Sequence, residues 1–233
     1  MTEESKKDKI LRFLRSVLSI GSESQGFIAR IGEHATLERY AKGEYIFFEG
    51  DRIDRGYYVF EGRVSLRKSS SNGKDLIVAL LPTGEPFGTL AALDGRPFPL
   101  SAQAQSDCLI LEFPVGEFRA LMAENPRVGN QLMGAIGARL RNSHELSRAL
   151  AHDKVEVRVA ATLLSLRPSC APVDPDELLL SRQELADAAG ITIETATRVM
   201  KRLELEGAVD LTGTGRVRLL RIERIKAIVE ESQ

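Results

Sequence analysis

The 233-residue sequence contains no tryptophan, two cysteines and three histidines, and each scarcity closes off a class of chemistry. Cys108 and Cys170 can build neither a disulfide framework nor a four-cysteine metal site. No run reaches the ~18 apolar residues that a membrane span needs. The first residues, MTEESKKDK, carry charge where a secretion signal has an apolar core, so a cytoplasmic location away from the membrane is expected. There is no nucleophile elbow, Walker loop or metal-ligand spacing, and the chain reads as a non-enzyme. Charge of one sign is missing too. The net charge is −1, and residues 181–233 hold 9 basic and 9 acidic side chains, so a nucleic-acid-binding segment would have to work by local arrangement of its cations.

What is present changes character along the chain. Lys9 to Leu18 and Gln25 to Glu33 have helical spacing. From Thr36 to Phe113 the apolar period falls to two, and eight glycines stand between Gly43 and Gly95. Strands are expected at Leu37–Tyr40, Tyr45–Phe48, Tyr57–Glu61, Val64–Lys68, Leu76–Leu81, Ser101–Ala104 and Cys108–Phe113, with a hairpin loop at Ser69 to Gly73. Short strands with regular turn signals predict a small barrel or jelly roll. Val115 to Glu124 reads as a helix. A long helix follows from Pro126 to about His152, its stripe formed by Val128, Leu132, Ile136, Leu140, Leu146 and Leu150. A narrow stripe on a long helix predicts pairing with a second copy. A further helix, Lys154 to Arg167, is expected to stop at Pro168, with Pro172 and Pro175 extending a loop that exposes Cys170. Cys108, in an apolar run, reads as a buried structural thiol. The expected domains are residues 1–124 (roll with flanking helices), 125–152 (dimerisation helix) and 153–233.

The stretch from Leu180 to Gly207 carries the chemistry. Ser181 and Glu184 form a capping box for one short helix. Gly190 ends it, and Thr192 caps a second. The second helix turns Ile191, Ala196, Val199 and Leu203 inward and presents Ile193, Glu194, Thr197, Arg198 and Lys201 outward. That outer face is short, polar and free of aromatics, which suits base edges in a major groove. Two alternating runs, Ala208 to Leu211 and Arg216 to Leu220, flank the turn Thr212 to Gly215. The whole is a winged helix-turn-helix, and the fold class is α+β. Arg182, Lys201, Arg202, Arg216 and Arg218 are expected on the DNA backbone. Phosphate contacts position a protein without reading sequence.

Roll, long helix, winged helix-turn-helix, in that order, resembles the Crp/Fnr family of bacterial transcription regulators. The resemblance is carried by KGEYIFFEGD from Lys42 to Asp51, YYVFEGRV from Tyr57 to Val64, LPTGEPFG from Leu81 to Gly88 and LSRQELA from Leu180 to Ala186. It implies a homodimer, a cyclic-nucleotide-binding-like β-roll, a palindromic DNA site and RNA polymerase as a partner, with the segment Arg167 to Pro175 as the family's analogous contact. Glu194, Thr197 and Arg198 resemble the E-x-x-S-R pattern of the fumarate-nitrate branch, with Thr in place of Ser. A half-site containing TTGA follows, its inverted repeat reading TCAA. Arg198 can donate to guanine O6 and N7, and Glu194 can accept from cytosine N4.

The same resemblance locates an effector pocket at Phe87, Gly88, Thr89, Leu90, Leu100, Ser101, Asn142 and Ser143. Cyclic AMP-binding members carry F-G-E-L and R-S-A there. This chain has Thr89 for the glutamate and Leu100 for the arginine, so both charged anchors for cyclic AMP are gone. The cysteines of an iron–sulfur sensor are missing as well. Haem-linked gas sensing, with His34, His144 or His152 as axial ligand, is the remaining named effector. The alternatives are a regulator controlled by its abundance alone and a thiol-responsive regulator using Cys170.

Overall fold

The computed structural model describes residues 3–18, 25–69, 75–171, 174–211, 213 and 215–230. Helices α1 (Glu3–Val17) and α2 (Gln25–His34) precede β1 (Thr36–Tyr40), β2 (Tyr45–Phe47), β3 (Arg55–Glu61), β4 (Arg63–Ser69), β5 (Asp75–Pro82) and β6 (Pro86–Phe87). Next come α3 (Thr89–Asp94), β7 (Ser101–Ala104), β8 (Cys108–Pro114), α4 (Val115–Glu124) and the 27-residue α5 (Pro126–His152). The strands form two four-stranded sheets, β1-β8-β3-β6 and β2-β7-β4-β5. That is the roll the alternating pattern predicts. The predicted loop from Ser69 to Gly73 falls mostly outside the described residues. Strand β6 and helix α3 are additions, too short to show a period in sequence.

Two compact units emerge. The first comprises Met1–Leu66 and Leu81–Leu140, the second Arg67–Leu80 and Arg141–Gln233. The division therefore differs from the expected boundary at residue 152. The last part of α5 and the segment 67–80 share their contacts with the C-terminal elements.

In the first unit, the roll interior is filled with rings. Phe47 and Phe98 stack at 3.7 Å between centroids, and Tyr57 stacks on Phe87 at 5.1 Å. A second apolar cluster gathers Leu14, Ile31, Leu111 and Phe113, and it also takes in Val128 and Leu132 of α5. These two residues are 1% and 3% exposed, so they are covered by their own chain and are not part of a partner-facing stripe. Among the described residues of the first unit, the exposed apolar side chains of α5 are Met133 and Leu140, with Ile136 half-buried between them. Their 3-and-4 spacing is that of a heptad seam.

Among the described residues of this unit, Glu112 is the buried charge. Register places it opposite Tyr57, and the Tyr40 hydroxyl donates to its Oε1 at 2.7 Å. Arg55 lies 3.7 Å from Oε2. Burial is the largest influence and pushes the carboxyl above its ordinary value, against the hydrogen bond from Tyr40 and the charge of Arg55. A carboxyl raised in the folded state contributes most below its unfolded pKa of ~4.3 and loses that contribution as pH rises through the folded value. Glu112→Gln keeps an acceptor for Tyr40 and removes the desolvated charge. Its thermal midpoint should therefore exceed wild type at pH 7, with the difference shrinking toward pH 4. A midpoint below wild type at pH 7 would show that the Arg55 attraction outweighs desolvation.

The second unit contains α6 (Val155–Cys170), β9 (Glu177–Leu179), α7 (Arg182–Ala189), α8 (Ile193–Leu205), β10 (Val209–Asp210), β11 (Arg216–Leu219) and α9 (Ile222–Glu230). Helix α6 runs through Pro168 instead of stopping before it. The residues around the proline explain this: Leu166 and Cys170 are buried in the unit's core, and that burial offsets the one helical hydrogen bond a proline removes late in a helix. Cys170 is consequently 3% exposed, contrary to the loop expectation. Cys108 is buried as expected, its thiol donating to the Arg63 carbonyl at 3.2 Å. Strand β11 alternates, Val217 and Leu219 inward and Arg216 and Arg218 outward, in a sheet ordered β10-β11-β9. Helix α9, not anticipated, buries Ile225 and Ile228. Thr212 and Thr214 of the predicted wing turn lie outside the described residues.

Candidate nucleic-acid interface

The interface is built on two caps and one glycine. The Ser181 hydroxyl accepts from Glu184 N at 3.1 Å and the Glu184 carboxylate accepts from Ser181 N at 2.8 Å, completing the capping box of α7. Gly190 ends α7 at φ 63°, a left-handed conformation. A Cβ there would lie 2.5 Å from Leu150 Cδ2, so strain and space both require glycine. The Thr192 hydroxyl accepts from Thr195 N at 3.3 Å and starts α8. The inward face of α8 is Ala196, Val199, Met200 and Leu203, all buried. Met200 completes the set read from sequence.

Fixing that face leaves the opposite one to solvent. Ile193, Glu194, Thr197, Arg198 and Lys201 line one open depression of about 580 Å³. Glu194 is held below the usual carboxylate range by a hydrogen bond from its own backbone N–H and then by Thr192, so it is an ionised acceptor at neutral pH. Among the described residues, Arg198 and Lys201 make no ion pair. The arrangement offers one acceptor, one forked donor, a hydroxyl and an apolar side chain within two turns of helix.

The cations expected on the DNA backbone are placed differently. Arg182 is half-buried, and desolvation lowers its pKa against the attraction of Glu204. Arg202 is ion-paired with Glu156 of α6. Arg216 lies 2.9 Å and Arg218 3.6 Å from the two oxygens of Glu177. Lys201 alone of the five stands in the recognition depression.

The residues expected to line an effector pocket fall in both units and differ in burial. Phe87 and Thr89 are core residues, and Leu90 is 47% exposed. The Ser101 hydroxyl accepts from Glu49 N at 2.9 Å, so it is engaged by the roll itself. Gly88 adopts φ 68° against Tyr57 and Phe98, Leu100 is half-buried, Asn142 is exposed and Ser143 half-buried. A cyclic nucleotide brings a phosphate that needs a cation and a ribose that needs an acceptor. Leu100 supplies no cation and the buried Thr89 hydroxyl no charged acceptor, so the two positions lack the ionic anchors that cyclic AMP takes in the resemblance. His34 and His144 are exposed on their helices and lend the haem expectation no support, and the His152 side chain lies outside the described residues. No described helix is long and apolar enough to cross a membrane.

Residues 37–125 match the model of a cyclic nucleotide-binding domain, and residues 157–228 that of a Crp-like helix-turn-helix domain. The cyclic AMP receptor protein of Thermus thermophilus is 33% identical over 193 residues, covering 82% of this chain and 85% of that protein. Among solved structures, FixK2 from Bradyrhizobium japonicum matches with a TM-score of 0.76 at 25% identity, over 83% of this chain and 96% of its own. The c-di-GMP responsive global regulator CLP of Xanthomonas campestris matches at 0.70 and 26%, over 83% and 98%.

Proposed function

Since the chain belongs to the Crp/Fnr family of transcription regulators, we propose that it binds DNA as a homodimer at a palindrome of TTGA and TCAA half-sites. The observation that carries this reading is the exposed face of α8. Glu194 and Arg198 stand one turn apart there, one fixed as an acceptor and the other without an ion pair among the described residues. Arg198 addresses guanine, Glu194 the cytosine paired with it, and Ile193 and Thr197 the thymine methyls. Two chains are needed because a recognition helix of this length covers only one half-site. Met133, Ile136 and Leu140 on α5 are the apolar seam available for pairing, in place of the buried Val128 and Leu132. Leu146 and Leu150, also in the predicted stripe, lie in the second unit, where Leu150 packs over Gly190.

The ring-filled roll, with Ser101 tied to Glu49, supports control without cyclic AMP at the family's usual position. A regulator set by its own abundance is the simplest form of that control. The burial of Cys170 and the exposure of His34 and His144 favour neither a thiol nor a haem switch. RNA polymerase is the expected partner at a promoter. A duplex bearing the palindrome should form a complex with two chains in light scattering, and Leu140→Asp should weaken it by reducing pairing. A single chain per duplex, or equal affinity for a scrambled duplex, would contradict the proposal.

A further inference from the structure

The C-terminal segment is charge-neutral, with 9 basic and 9 acidic side chains in residues 181–233, yet it carries the recognition helix. Two of its cations, moreover, are paired with a carboxylate from outside that count, Glu177 of β9. Strand β9 pairs antiparallel with β11, setting Glu177 directly opposite Arg218 and Leu179 opposite Arg216. Glu177, Arg216 and Arg218 therefore share the outer face of the sheet, while Leu178 and Val217, both 0% exposed, hold the inner one. One carboxylate meets both arginines, Oε1 with Arg216 and Oε2 with Arg218. Glu177 is the less accessible partner, its side chain 20% exposed against 57% and 48% for the arginines. The carboxylate is thus fixed by the sheet, and the guanidinium groups reach across it toward solvent.

We propose that Glu177 limits the DNA affinity of this protein by neutralising the wing arginines, Arg216 and Arg218. This rests on the DNA-binding function proposed for α8 and concerns how strongly, not where, the protein binds. A phosphate approaching either arginine must compete with a carboxylate already in place. Exposed ion pairs add little to folding, so loss of Glu177 is expected to leave stability nearly unchanged. Each cation that meets a phosphate releases counterions and adds about 0.9 to the slope of log affinity against log salt. A carboxylate beside two such cations subtracts from that total on every DNA sequence alike, because phosphates carry no sequence information.

The test measures affinity against salt for the full chain on two duplexes, the TTGA palindrome and a scrambled sequence. The variants are wild type, Glu177→Gln, Arg216→Gln with Arg218→Gln, and the triple. Glu177→Gln should bind both duplexes about 3–10-fold more tightly near 0.1 M salt, with a slope steeper by up to about one. Removing the two arginines should cost more in the Glu177→Gln background than in wild type. Equal melting temperatures would separate these effects from a change in folding. Unchanged or weaker binding by Glu177→Gln, or strictly additive effects of the arginines and Glu177, would overturn the proposal. If no variant binds either duplex, the DNA-binding function itself falls. If all bind but only the palindrome responds to Glu177→Gln, the residue acts on base reading and not on the phosphates, which equally overturns it.

Discussion

Replacing Arg198 with alanine is expected to cost about 1–3 kcal/mol in each half-site, hence about 2–6 kcal/mol on a palindrome held by two chains. The effect is large because of where the side chain starts. Ala196, Val199, Met200 and Leu203 lock one face of α8 into the core, so the opposite face has little rotational freedom. Arg198 leaves that face without an ion pair among the described residues, so its donors are available to a base edge. The variant should also lose discrimination at the guanine of TTGA while retaining the salt dependence set by other cations. Arg198→Lys keeps the charge but not the planar fork, and should behave nearer to alanine than to wild type in specificity. Equilibrium binding to duplexes with each base at that position separates the two effects. An unchanged affinity and specificity for Arg198→Ala would mean that α8 does not read bases.

The second large effect is on stability. Arg67, 8% exposed, places one guanidinium nitrogen 3.2 Å from Asp75 and 3.1 Å from Asp187. Asp187 lies on α7 and accepts also from Gln183 at 2.6 Å. Arg67→Ala removes the only cation of this triad and leaves two partly buried carboxylates near one another. Breaking a buried pair in this way costs about 3–5 kcal/mol. Asp187→Ala should cost less, because Asp75 still pairs with the arginine. Urea unfolding of the two variants, followed by a probe in the second unit, gives the comparison. A loss below about 1 kcal/mol for Arg67→Ala would show that the pair behaves as an exposed one.

Much of this could be read from sequence where the signal was local. The capping box of Ser181 and Glu184, the stop at Gly190 and the cap at Thr192 are separated by a few residues each, and the structure reproduces them in geometry. The outer face of α8 followed directly from those caps. The apolar stripe of α5 was correct as a period, but a period does not say what covers it. Val128 and Leu132 face their own roll, and the same spacing would have served a partner equally well. Pro168 is a local stop signal, but the burial of Leu166 and Cys170, which no local pattern shows, outweighs it. Helix α9 was missed although Ile222, Ile225 and Ile228 repeat at threes. The ion pairs were beyond reach for a different reason. Glu177 meets Arg218 only once the register of β9 on β11 is known, and Arg67 meets Asp187 across 120 residues of chain. The effector-pocket residues came from the resemblance alone, and the replacement of its charged anchors by Thr89 and Leu100 leaves no local signal in the sequence that names a ligand.

The most direct test of the central claim is a selection of randomised duplex DNA by the purified protein with no added effector. Base reading by α8 predicts enrichment of an inverted repeat with TTGA and TCAA halves, centred about one helical turn apart, with the guanine lost from the enriched motif when Arg198 is replaced by alanine. Enrichment of an unrelated motif, or of none while the protein still binds DNA, would contradict it.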